Sequence, residues 1–399
     1  MGALLYLVHR IPYPPNKGDK IRSYNILKYL ARKYEIYLGA FIDHPDDWKY
    51  QKDLQKYCKD LYLCQLSSRV AKLRSAQGFL KGTALTVPYY YNRGMSHWVS
   101  QVISQRHISK ILVFSSAMAQ YVQGEEYSDL TRILDLVDID SDKWYQYSQN
   151  KTGIMKGIYL RESKRLFEYE CEIVREFDVS LFVSQPEADC FIRRTPELSA
   201  KVGYFNNGVN ADFFDPLLEY VDPYCANRHV LLFTGAMDYW ANIDAVVWFS
   251  KHVWPRILKL FKDAVFYIVG SNPDSHVLGL NNAEGVFVTG RVDDVRPYLA
   301  YASLSVAPMR IARGIQNKVL EALAMGLPVA ATKQAAEGIS ANPEDGLLVS
   351  DNTDDMVKNI AAVLQGDKNQ HGARSRKFIK TKFNWDRNLE KLSGYLEGF

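Results

Sequence analysis

Residues 307–332 read Ala307-Pro-Met-Arg-Ile-Ala-Arg-Gly-Ile-Gln-Asn-Lys-Val-Leu-Glu-Ala-Leu-Ala-Met-Gly-Leu-Pro-Val-Ala-Ala-Thr332. The order is that of an apolar strand end, a glycine turn, a helix, a glycine stop and a second strand. Gly314 breaks the loop ahead of Asn317, a residue type that caps helices well. Lys318 to Met325 are good helix formers, and Gly326 followed by Pro328 ends the run. A loop that hands several free backbone N–H groups to a helix start suits a phosphate. Arg310, Arg313 and Lys318 surround that start and concentrate positive charge where an anion would dock. Glu321, one turn inside the helix, lies on the same face as Lys318. The same spacing also fits an ordinary helix–strand unit in which Lys318 and Glu321 form an exposed ion pair worth about 0.2–0.5 kcal/mol.

Working outward, the chain of 399 residues is too long for one typical core, which predicts two domains. Its 47% hydrophobic and 24% charged content is that of a soluble globular protein. A net charge of +4 is too small to argue for nucleic acid, and no nucleic-acid-binding motif accompanies it. The five cysteines are odd in number and form neither a CxxC pair nor a metal-type pair with nearby histidines. A reduced, cytoplasmic compartment is therefore expected rather than a disulfide framework. Ala3–Val8 is apolar, but His9, Arg10 and three prolines follow where a signal peptide would have its cleavage site. No window approaches the ~18 apolar residues of a membrane-spanning helix, so any membrane contact is expected to be peripheral.

Leu4–His9 reads as a buried parallel strand that runs into a loop and then a helix reaching about Lys33. In doubly wound folds this first strand–loop–helix junction is where ligands bind. The loop is not G-x-G-x-x-G, so a dinucleotide fingerprint is absent. Gly18, with Lys20 and Arg22 close behind, again offers backbone donors and positive charge at a helix start; a solvated loop capped by Asp19 is the alternative. Further strands are predicted over Glu35–Phe41, Leu61–Leu66, Ile111–Phe114, Arg132–Leu136, Val179–Val183 and Lys201–Phe205, with helices over Asp46–Tyr57 and Gly153–Phe177. From Leu61 to Gly124 there are seven Lys or Arg and no Asp or Glu. Within 69–98 these cations lie among Val70, Leu73, Phe79, Leu80 and several aromatics, a composition that an anionic membrane surface attracts. Asp138, Asp140 and Asp142 follow the Arg132–Leu136 strand. Alternating carboxylates suggest a metal-binding D-x-D, but the flanking elements are those of a doubly wound sheet. Asp138, at a strand's carboxyl end, is better placed to touch a bound ligand.

The second half repeats the alternation, with strands at His229–Thr234, Ala264–Val269, Val286–Val288, Ser303–Ala307, Val329–Thr332 and Gly346–Val349. Gly235, just past the first of these, is a second candidate for backbone contact with phosphate. The segment Asn206-Asn-Gly-Val-Asn-Ala-Asp-Phe-Phe-Asp-Pro216 marks the junction, with Asn207-Gly208 expected to make a sharp turn.

The 307–332 stretch, the junction at Asn206 and the His9–Tyr24 block together resemble the retaining GT-B glycosyltransferases of family four. The His9–Tyr24 block and Asp135–Trp144 are similar to a narrower group, the exosortase/PEP-CTERM-associated sugar transferases. The resemblance implies an α/β fold of GT-B type, two doubly wound Rossmann-like domains facing across a cleft. It implies an acceptor-side domain over 1–206, a donor domain over 207–373, and a helical segment over 374–399 that returns to the first domain. It implies that Glu321 binds the ribose hydroxyls, that the loop at Gly314 and Asn317 holds the donor phosphates, and that Gly18 faces them. Arg291 and Val292 become base-side candidates. The sequence departs from the family in two places. Arg313 stands eight residues before Glu321, where the usual signature has a first Glu. Trp240 and Asn242 occupy the loop where many relatives carry an Arg and a Lys, so Lys318 and Arg313 are expected to supply the charge.

The expected activity is retaining transfer of a sugar from a UDP- or GDP-sugar to a glycan or polyprenyl-linked acceptor in exopolysaccharide synthesis. Lys318, Asp138 and Arg313 are the catalytic candidates, and neither metal nor cofactor is expected. A nucleotide-sugar epimerase and a non-catalytic scaffold of a polysaccharide complex are the two alternatives.

Overall fold

Leu4-Leu-Tyr-Leu-Val8 and Val230-Leu-Leu-Phe233 are apolar without alternation, and every one of these side chains is buried. Such runs belong to parallel strands covered by helices on both faces. Each lies in the middle of its own sheet. The computed structural model describes residues 2–149, 151–224, 229–312, 314–350, 352–366 and 372–398.

The first sheet contains β1 (Gly2–Val8), β2 (Tyr34–Ile42), β3 (Asp60–Gln65), β4 (Lys110–Phe114), β5 (Thr131–Val137), β6 (Val179–Phe182) and β7 (Val202–Tyr204). Their spatial order is β3-β2-β1-β4-β5-β6-β7, with every pairing parallel. The order reverses between β1 and β4, which opens a crevice at the carboxyl ends of those strands. The second sheet contains β8 (Val230–Thr234), β9 (Val265–Val269), β10 (Val286–Gly290), β11 (Leu304–Ala307), β12 (Val329–Thr332) and β13 (Leu347–Ser350). Its order is β10-β9-β8-β11-β12-β13, also all parallel, and it reverses between β8 and β11. Both sheets are thus doubly wound.

The chain divides into one unit of Met1–Asn206 with Leu389–Phe399 and a second of Asn207–Asn388. The last crossing falls inside the final helix, Trp385–Glu397, rather than at residue 374. Residues 372–382 stay with the second unit because Arg376 is anchored there. Its guanidinium pairs with Asp215 and donates to the carbonyls of Ala211, Phe214 and Ala324. Leu389, Leu392 and Leu396 are buried, and Lys33 of the first unit donates to Ser393 at 2.7 Å.

Three local expectations change. The 46–57 helix is a 3-10 turn over Pro45–Tyr50 followed by a short helix over Gln51–Gln55. The 69–98 stretch is four short helices, Ser68–Ser75, Gln77–Lys81, Thr86–Tyr89 and the start of Arg93–Gln105, broken at Gly82 with φ 69°. Gly208 serves close packing: a Cβ there would lie 2.7 Å from the Trp385 backbone nitrogen.

Candidate active site

In the second unit the loops after β8 and β11 flank the reversal point, and the helix Asn317–Ala324 starts from the latter. Gln316, not Asn317, is the cap residue, and no side chain closes this helix end. Among the described residues no side chain caps its first N–H groups, which suits an anion. Asn317 instead accepts a hydrogen bond from Asn207 at 3.4 Å. Gly314 has φ 63°, a left-handed conformation that glycine adopts without strain.

Lys318 is the cation that this arrangement aims. Its ammonium donates to Asn242 Oδ1 at 2.7 Å, lies 4.0 Å from the centre of the Phe233 ring and touches the Met309 sulfur at 3.8 Å. No described carboxylate is within ion-pair reach of it. Burial pushes the Lys318 ammonium down to about 7, and the charge of Glu321 restores only part of that. Burial likewise pushes the Glu321 carboxyl up to about 7, against the pull of Lys318. Glu321 has no hydrogen-bond or ion-pair partner among the described residues, so its oxygens are available to donors such as sugar hydroxyls.

Gly235 completes the pocket floor. A Cβ on it would lie 2.8 Å from Asn242 Nδ2 and 3.2 Å from Lys318 Nζ. Gly270 packs against it so tightly that a Cβ there would fall 1.6 Å from the Gly235 carbonyl oxygen. Gly270 N–H donates to the Gly290 carbonyl at 3.1 Å, which brings the loop carrying Arg291 and Val292 to the same edge. Arg291 is exposed and Val292 half-buried.

The predicted charge cluster is thinner than the sequence suggested. Arg310 is committed to Asp244 through two hydrogen bonds, Nε to Oδ2 at 3.0 Å and a second from Nη2. Arg313 lies outside the described residues. Asn242, which the sequence reading registered only as a missing cation, is the residue that holds Lys318 in place. Its Nδ2 donates to the Ala236 carbonyl at 2.8 Å, fixing the amide so that Oδ1 faces the ammonium. The available signal was its position just past a strand-end glycine at a helix start.

In the first unit, Gly18 opens the helix Gly18–Leu30 and is exposed, with no side-chain cap on that end. Lys20 and Arg22, expected beside it as donor ligands, are occupied elsewhere. Lys20 is buried and pairs with Asp47 at 2.7 Å. Arg22 is fully buried, forks onto Asp135 at 2.8 and 3.0 Å, donates to the Phe205 carbonyl and stacks 3.6 Å from the Phe205 ring. Lys20 and Arg22 leave the helix on opposite sides and both are buried against carboxylates from elsewhere in the unit, which spacing from Gly18 alone did not convey.

Asp138 follows β5 and pairs with Lys143 at 3.0 Å, and Lys143 also pairs with Asp140 at 3.0 Å. Burial works against the Lys143 ammonium, but these two carboxylates outweigh it and hold its pKa well above the ordinary range. Asp142 is taken by Arg194 at 2.6 Å. The carboxylates that resembled a D-x-D are therefore each engaged by a protein cation, Asp138 and Asp140 sharing Lys143. Nearby, burial opposes the charge on Asp19, but His9 and Arg10 hold its carboxyl far below the usual range.

Residues 228–366, within the second unit, match the family described as Glycosyl transferases group 1. A relative in Klebsiella pneumoniae, an uncharacterized 44.6 kDa protein in the cps region, is 20% identical across 95% of this chain and 94% of its own. Among solved structures, sucrose-phosphate synthase from Thermosynechococcus elongatus superposes with a TM-score of 0.72 at 15% identity, covering 98% of both chains. Anabaena HepE, solved in complex with UDP and glucose, superposes with a TM-score of 0.67 at 13% identity over 100% of both chains. The fold is that of the GT-B glycosyltransferases.

Proposed function

We propose that this glycosyltransferase moves a sugar, with retention and without metal, from a UDP- or GDP-sugar to a glycan or polyprenyl-linked acceptor during polysaccharide synthesis. The observation that carries the reading is Lys318: an ammonium without a carboxylate partner among the described residues, aimed by Asn242 at a glycine floor beside an open helix start. The costly event in such a transfer is departure of a nucleoside diphosphate while charge builds on its phosphates. A fixed cation and free N–H groups stabilise that charge without reorganising. Lys318, Gly235 and the Gly314–Asn317 loop supply them, while Glu321 takes the ribose and the Arg291–Val292 loop takes the base. Asp138 on the first unit contacts a hydroxyl of the sugar or acceptor. Metal independence is supported by the carboxylates at 138, 140 and 142, all of which are already engaged by Lys143 or Arg194.

The acceptor reading draws on a different face of the first unit. Leu73 and Leu80 are 76% and 91% exposed and stand among Arg69, Lys72 and Lys81, none paired with a described carboxylate. Beside them is a cavity of about 640 Å³ whose lining includes Arg74, Lys81, Tyr91, Arg165 and Glu168. Apolar side chains ringed by cations suit the cytoplasmic surface of an anionic bilayer, which would place the enzyme where lipid-linked acceptors are held.

The deciding experiment is a thermal-shift screen of UDP-, GDP- and ADP-sugars. A ligand that binds only the folded chain raises its stability by about 2.7 kcal/mol at a hundredfold excess over Kd. One nucleotide series should shift the melt and be consumed only when acceptor is present. Consumption without acceptor, yielding an epimerised sugar, would favour the epimerase. No shift with any nucleotide would favour the scaffold.

A further inference from the structure

The turn that carries Asp138 is strained. Val137 has φ 68°, and the Asp138 N–H donates to the Leu136 carbonyl at 2.9 Å. A tight turn of that hand is rare, and a β-branched side chain at its centre makes it costlier. Strain of this kind persists only where the surroundings impose it. Here five hydrogen bonds do so. Asp135, gripped by Arg22, accepts from the Val137 N–H at 3.2 Å, and the Val137 carbonyl accepts from the Val183 N–H at 2.7 Å. Glu187 accepts from the Ile139 N–H at 2.9 Å. Glu170 accepts from the Ser141 N–H at 3.1 Å and from its hydroxyl at 2.6 Å.

Glu170 and Glu187 are each 1% exposed and project from two different helices, Gly153–Glu176 and Gln185–Arg194. Glu170 faces Asp140 and Asp142 and has no cation within ion-pair reach among the described residues. Burying a carboxylate that way lowers stability relative to an apolar residue of the same size. Two buried carboxylates that bracket one distorted turn and accept from its backbone N–H groups indicate that the shape of the turn is what they serve.

We propose that Glu170 and Glu187 are positioning residues, a clamp that forces the strained Val137 turn and so aims Asp138 at the substrate. This rests on the sugar-hydroxyl role assigned to Asp138 above. The Arg22–Asp135 pair belongs to the same frame, which gives Arg22 a task in this unit in place of donor binding.

The test uses Glu170→Gln and Glu187→Gln in the full chain, with amide hydrogen exchange over 136–141 and turnover of UDP-glucose and GDP-mannose measured with a polyprenyl-linked glycan acceptor present. Exchange at Asp138–Ser141 should rise in both variants, and kcat should fall about tenfold, as for loss of one buried hydrogen bond, with KM for the donor unchanged. Val137→Gly added to Glu187→Gln should restore turnover, because glycine adopts this conformation without being forced. That rescue separates positioning from mere loss of fold. Unchanged exchange in both variants overturns the clamp, and so does raised exchange with full turnover. If the wild-type chain turns over neither donor, the glycosyl-transfer reading is what fails, and exchange alone decides the clamp.

Discussion

Replacing Lys318 by Ala removes the one described cation of the second unit that is aimed at the glycine floor. In the free protein the ammonium is held at 2.7 Å from Asn242 and over Phe233, and burial keeps it near neutrality at physiological pH. A diphosphate docking beside it would favour the charged form. Binding should therefore draw in a proton at and above about pH 7. A hydrogen bond to a charged group contributes on the order of 1.5–3 kcal/mol. At about 1.4 kcal/mol per decade that is roughly tenfold to more than a hundredfold in nucleotide affinity or turnover. Isothermal titration of UDP and GDP in buffers of different ionisation enthalpy reads both quantities, the affinity and the proton uptake. The wild type should take up a fraction of a proton at pH 8 and Lys318→Ala none. Equal affinity for the two proteins, or proton uptake that survives the substitution, would refute the assignment of Lys318.

Other perturbations follow from the same contacts. Gly270→Ala drives a Cβ to 1.6 Å from the Gly235 carbonyl, so it should cost at least about 1–3 kcal/mol in urea denaturation and weaken nucleotide binding. Arg22→Ala leaves Asp135 buried and unpaired, which should destabilise the chain by about 3–5 kcal/mol while nucleotide affinity of the folded fraction is kept. Glu170, pushed by burial up to about 8, binds its proton more tightly folded than unfolded. Its contribution to stability is complete below the ordinary glutamate range and is lost as pH rises towards 8. Melting temperatures of Glu170→Gln should accordingly fall less than those of wild type between pH 5 and pH 8.

The sequence by itself determined the two doubly wound sheets. Unbroken apolar runs such as Leu4–Val8 and Val230–Phe233 can only be parallel strands covered on both faces, and glycines at their ends mark where loops meet ligands. It also pointed to a helix start with Gly314 and Lys318 beside it, but the absence of a side-chain cap there came from the structure, where Gln316 and not Asn317 takes the cap position. What each charge does was decided only by the tertiary structure. Arg22 and Lys20 follow Gly18 as closely as Lys318 follows Gly314, yet they turn inward to Asp135 and Asp47. Arg310 is spent on Asp244 from another loop. Asn242, read as a lost cation, became the group that aims one. The carboxylates that bracket the Asp138 turn come from helices far along the chain, and no spacing could reveal them. A charge is defined by its partner, and in a folded chain the partner is usually distant in sequence.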